Sequence, residues 1–133
     1  MARVSKQNLD KAMTKNITSQ FTKLVGQLNE RNSGQFIDHF FGFEERVMFA
    51  KRLAIIIMIH EGASSYEIAN GLAVSPTTVG RLLERYDRGE FRFITRQLES
   101  KKIDCRGFLE ALDTILTLGL PRYNSKDRWR ILR

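Results

Sequence analysis

The stretch Ser64 to Leu83, SSYEIANGLAVSPTTVGRLL, has the spacing of two short helices packed at an angle across a tight turn. Ile68, Leu72, Val74, Val79 and Leu82 fall where a shared core needs apolar side chains, and Ala69 is small enough to let the helices cross closely. The second helix announces its own start. The Ser75 hydroxyl can accept an orphan backbone N–H, and Pro76 takes the first helical position, where no N–H is missed. The outward residues after this cap are then Pro76, Thr77, Thr78, Gly80 and Arg81. The pattern predicts a helix-turn-helix over 64–83 whose second helix offers Ser75 and these residues to the base edges and phosphates of double-stranded DNA. The turn position commonly filled by glycine is Ala73, and generic helical hairpins meet the same apolar spacing.

The charge balance agrees with a polyanionic partner. The 133 residues carry 22 Lys and Arg against 15 Asp and Glu, a formal net charge of +7. The excess is uneven: residues 1–35 net +4, residues 36–75 net −2 and residues 76–133 net +5. An acidic, apolar middle is thus flanked by segments suited to phosphates, and Arg85 and Arg88 join the expected DNA-contacting set.

At this length, with 42% hydrophobic residues, the chain suits one domain with a true core, expected over 1–120 and followed by a basic extension at 121–133. The single cysteine, Cys105, excludes an intramolecular disulfide and reads as a helix-packing residue. The opening MARVSKQNLDK lacks the apolar core of a signal peptide, and the longest apolar run, Leu53 to Ile59, falls far short of the ~20 residues a membrane span needs. A cytoplasmic protein without membrane contact is expected.

Almost every segment has helical period, so the fold class is expected to be all-α. Leu9, Met13, Ile17, Phe21, Leu24, Val25 and Leu28 mark one amphipathic helix from Lys6 to Glu30, with a break expected at Asn32-Ser33-Gly34. A short helix or turn is expected over Gln35 to Phe41, then a long helix from Phe43 to His60 with Glu44 and Glu45 in its first turn, where the helix dipole favours them. Its run LAIIIMI leaves no polar face for about two turns, which implies a subunit interface there or a central helix surrounded by its own chain. Beyond Asp87-Arg88-Gly89 a helix through Phe91, Ile94 and Leu98 and a last one through Phe108, Leu109, Leu112, Ile115, Leu116 and Leu118 are expected. The tail RYNSKDRWRILR, with Tyr123 and Trp129, suits either an arm along the phosphate backbone or a segment folded back on the body or a partner subunit.

Across Phe43 to Arg85, in EERVMFAKRLAIIIMIHEG and SSYEIANGLAVSPTTVGRL, the chain resembles the Trp repressor-like family. The resemblance implies an all-helical bundle in which two chains intertwine their N-terminal and central helices into one core, with two helix-turn-helix heads projecting to either side. It also implies an effector pocket at Arg52, Arg81 and Thr78, since the family's corepressor tryptophan is held between two arginines that match Arg52 and Arg81. Three departures count against that ligand. Gly42 stands where a hydroxyl residue is expected, Leu82 replaces the glycine that leaves room for the ring, and the loop between Gly62 and Tyr66 is one residue shorter. No cofactor is therefore expected, with tryptophan or another small effector as the alternative. Arg52 has a simpler use as a partner of Glu45 or Glu67, and Arg81 as a phosphate contact.

Catalysis finds little support. His39 and His60 have no partners at metal-ligand spacing, Glu44-Glu45 is explained by the helix start, and no phosphate loop or nucleophile motif is present. The reading that emerges is a sequence-specific transcriptional regulator, a repressor acting as a homodimer on a palindromic operator. Two rivals are the DNA-binding subunit of a transposase-like system and a helical protein-interaction module without DNA contact.

Overall fold

The structure, a computed structural model, describes residues 10–100 and 103–116, the last two by their backbone alone. Among the described residues there are seven helices and no strand: α1 (Lys11–Gly26), α2 (Glu30–Phe40), α3 (Phe43–His60), α4 (Ser65–Leu72), α5 (Pro76–Asp87), α6 (Arg92–Glu99) and α7 (Cys105–Leu116). The all-α expectation holds. Residues 6–9 of the first expected helix and the extension at 121–133, with Tyr123 and Trp129, lie outside the described residues. The contacts divide the chain into two compact units, with the boundary between Gly42 and Phe43.

In the first unit the expected single helix to Glu30 stops at Gly26, and the next begins at Glu30. Asn32, Ser33 and Gly34, expected to break the chain, instead lie inside α2. The reason is a reciprocal cap. The Asn29 side chain accepts the Arg31 and Asn32 N–H groups at 2.9 Å each, while the Asn32 side chain accepts the Asn29 N–H at 2.7 Å. An Asn three residues after another Asn thus marks a start, not an end. Phe21, Phe36, Phe40 and Phe41 form an aromatic cluster, Phe36 stacked on Phe40 with ring centroids 5.1 Å apart and Phe41 edge-on to Phe40 at 5.0 Å. Yet no residue of α1 or α2 is buried, and Met13, Ile17, Phe21, Leu24, Val25, Ile37 and Phe40 are all exposed.

The second unit is built around α3, which spans Phe43–His60 as its pattern predicts. Ala54 to Ile59 are all buried, at 8% exposure or less, beneath α4, α5, α6 and α7. The apolar run therefore does not form a subunit face. Four helices of the same chain cover it, and burial of each isoleucine is worth roughly 1.5–3 kcal/mol, so the run is a large part of what stabilises this unit. Ile68 and Leu72 of α4, Val79 and Leu82 of α5, Phe91, Leu98 of α6 and Leu109 and Leu112 of α7 complete the core. Exposed apolar side chains of this unit include Phe43, Met48 and Phe49 in the first half of α3.

Candidate nucleic-acid interface

Helices α4 and α5 are each started by a serine. Ser64 and Glu67 cap α4 reciprocally, the Ser64 hydroxyl accepting the Glu67 N–H at 3.2 Å and the Glu67 carboxylate accepting the Ser64 N–H at 2.9 Å. Glu67 is thereby occupied at the helix start rather than available to Arg52. The Ser75 hydroxyl accepts the Thr78 N–H at 3.2 Å, with Pro76 in the first turn, as the sequence predicts. Between the helices, Ala73 is left-handed at φ 52°, the one non-glycine residue with positive φ among the described residues. Its left-handed turn lets the Val74 N–H reach back to the Ala69 carbonyl at 3.1 Å. An alanine at this place holds a conformation that costs roughly 1–2 kcal/mol, next to Leu72, which is fully buried.

Packing then fixes which side of α5 meets solvent. Val79 and Leu82 are sunk into the core, which turns Pro76, Thr77, Thr78 and Arg81 outward, all exposed. They do not remain equally free. The Thr78 hydroxyl is hydrogen-bonded to the Ser75 hydroxyl at 2.8 Å and so belongs to the cap. Thr77 and Arg81 keep their polar groups uncommitted among the described residues. A Cβ added at Gly80 would meet nothing within 4 Å, so this glycine is not required by packing within the chain. On α4, Tyr66 is 78% exposed and Asn70 also faces solvent, two side chains with hydrogen-bonding tips that the sequence pattern did not single out.

The two arginines at the end of α5 are placed differently. Arg85 Nε donates to Glu90 at 2.7 Å, and its guanidinium carbon lies 4.8 Å from the Phe91 ring centroid. Arg85 therefore latches the turn into α6, where Gly89 takes a φ of 80°. Arg88 makes only a loose pair with Glu84 at 3.7 Å on the exposed helix surface, of a kind worth at most about 1 kcal/mol. Arg52 is exposed on α3, and no polar contact joins it to Arg81 or Thr78 among the described residues.

The orientation of α5 is also held by a residue whose role the sequence hid. His60, the last residue of α3, lies 2.9 Å through Nδ1 from the Tyr86 hydroxyl of α5 and 3.0 Å through Nε2 from Glu99 of α6. A neutral ring satisfies both, accepting from the tyrosine and donating to the carboxylate. The partners are 26 and 39 residues away along the chain, so no local pattern signals the link. Beneath it a cavity of about 70 Å³ is lined by Ile57, His60, Glu61, Leu98, Glu99 and Cys105. Burial pushes the Cys105 thiol up from its ordinary value, and the Glu61 and Asp104 carboxylates push in the same direction. The thiol is thus a poor nucleophile at neutral pH, in keeping with a packing role.

Among the described residues no three His, Cys, Asp or Glu side chains are grouped to hold a metal ion, and no helix is long and apolar enough to cross a membrane. No family model, curated protein or solved structure matches the chain.

Proposed function

We propose that the chain is a sequence-specific DNA-binding regulator, with α4 and α5 as its helix-turn-helix and α5 as the recognition helix. One observation carries the reading. The N-terminal half of α5 is capped and locked inward by Val79 and Leu82, yet it leaves Thr77 and Arg81 exposed and uncommitted, with open space at Gly80. A recognition helix reads base edges with its N-terminal residues in this way. Thr77 and Arg81 would contact bases, Ser75, Pro76 and Thr78 would hold the helix start against the backbone, and Arg88 would reach phosphate after releasing Glu84. Arg85 serves the same surface indirectly by fixing the turn behind it.

The regulator acts as a homodimer, and the first unit supports this. Isolated helices of 16 and 11 residues are marginal in water, and a 42-residue unit with no cysteine rarely folds without a partner. The apolar stripe of α1 and the phenylalanine cluster of α2 suit a second copy of the same chain, which would carry its own α5 to a second half-site. A long apolar helix followed by two short ones is the helix order of a Trp repressor-like fold, and occlusion of a promoter makes repression the simplest outcome. The arginines Arg52 and Arg81, with Thr78 engaged in the cap, do not favour a tryptophan pocket.

Selection from random duplexes at physiological salt, with and without tryptophan, tests the reading. An enriched palindrome is expected, unchanged by tryptophan. Arg81→Ala is expected to weaken binding to it by about 1–3 kcal/mol while relaxing preference at one base pair in each half-site. Equal retention of every duplex, or of none, would overturn the proposal and return the helix pair to a protein-interaction role.

A further inference from the structure

Helix α1 has a second face. Beside its apolar stripe, the rest of the surface of α1 carries Lys11, Thr14, Lys15, Thr18, Thr22 and Lys23, and no acidic residue occurs between Lys11 and Gly26. The threonines do not compete for a ligand. Thr14, Thr18 and Thr22 each donate to the carbonyl four residues earlier, at 3.3, 2.9 and 2.8 Å, so their hydroxyl protons are spent on the helix itself. Three ammonium groups remain, at Lys11, Lys15 and Lys23, turning through about 120° around the polar side of the helix. None of the three has an ion pair among the described residues, whereas Arg85, Arg88 and Arg106 of the second unit are each matched to a glutamate.

We propose that this lysine face is a sequence-independent binding strip for the phosphate backbone of duplex DNA, additional to the α4–α5 surface. The inference rests on the reading of the chain as a DNA-binding protein. From Lys11 to Lys23 the helix rises about 18 Å at 1.5 Å per residue, a length over which a duplex presents about ten phosphate charges. Lysine suits this use, because a compact ammonium on a flexible stem neutralises phosphate as a point charge and reads no base. An anionic membrane is the other polyanion an amphipathic lysine helix can meet. That use requires the apolar face of α1 to enter the lipid, which is incompatible with its pairing to a second copy.

The test compares the full-length chain with the triple variant Lys11→Gln, Lys15→Gln and Lys23→Gln, measuring affinity for a short random-sequence duplex as sodium chloride is raised from about 50 to 200 mM. The slope of log affinity on log salt is expected to fall by about 0.9 per lost phosphate contact, about 2.7 for each chain bound and about 5.4 for a dimer, with binding at about 0.1 M weakened at least about tenfold. The order of bases preferred in a duplex selection should stay unchanged. Replacing the same lysines by arginine should restore the slope, which separates charge from helix stability. An unchanged slope in the glutamine variant, with the wild type still selecting an operator, would overturn the strip and leave the regulator standing. A wild type that binds no duplex would overturn both. Cosedimentation with vesicles containing phosphatidylserine, lost in the glutamine variant while DNA binding persists, would assign the strip to a membrane instead.

Discussion

Two apolar helix faces in this molecule meet opposite fates. In α3, Ala54 to Ile59 are covered by four helices of their own chain, whereas in α1 the stripe from Met13 to Val25 is left in the open. The two also differ in composition, since Ala54 to Ile59 is apolar at every position whereas α1 carries its apolar side chains as one stripe among lysines and threonines. They differ further in how many helices of their own compact unit can lie across them. After α3 come four helices with apolar faces to lay across it, while α1 is succeeded in its unit only by the 11 residues of α2, whose own phenylalanines are no better covered.

The contrast breaks most readily at its buried end. Ile57→Ala removes a side chain that is 1% exposed at the centre of the second unit, and a loss of about 2–5 kcal/mol in unfolding free energy is expected by urea denaturation. A loss below about 1 kcal/mol would mean that α3 is less closely covered than it is here. In the first unit the double change Phe21→Ala and Phe40→Ala is expected to leave the core transition of the second unit in place. It should weaken self-association by about tenfold or more in sedimentation equilibrium, as truncation of aromatic anchors does. Unaltered association, or none in the wild type, would overturn α1 and α2 as a surface for a second copy.

Smaller effects sharpen the picture of α5. Gly80→Ala adds a methyl group where nothing lies within 4 Å, so the helix should gain up to about 1 kcal/mol in stability while operator affinity falls. A gain in both would show that DNA does not approach Gly80. Smallest is the chemistry of Cys105, where the raised thiol should be alkylated by iodoacetamide more slowly than a free thiol at about pH 8, with the rate climbing only in more alkaline solution. The same shift leaves stability untouched through neutral pH and subtracts from it only as the pH rises past the thiol's value in the unfolded chain.

Much of this is legible in the sequence. The limits of α3, the Ser75 cap with Pro76 behind it and the breaks at Gly62 and Gly89 are local, set by residues within one or two turns of each other. The reciprocal cap at Ser64 and Glu67 is legible too, as a serine three residues before a glutamate ahead of an apolar run. The misplaced break in the first unit comes from taking Asn-Ser-Gly as a turn by composition, when Asn29 and Asn32 are spaced to cap each other. At the candidate site, the outward set from Pro76 to Arg81 follows from helical period alone. The engagement of Thr78, the withdrawal of Arg85 onto Phe91 and Glu90, and the His60 link to Tyr86 and Glu99 do not.

Sequence by itself determined that the described chain is helical, where α3, α4 and α5 begin and which side of α1 and α5 is apolar, because capping and the 3.6-residue period act over a few residues. Tertiary structure alone decided which apolar face is covered and which is left open, and which arginines are spent on internal partners. Those outcomes depend on side chains brought together from distant parts of the chain, and their energies exist only once the helices have packed.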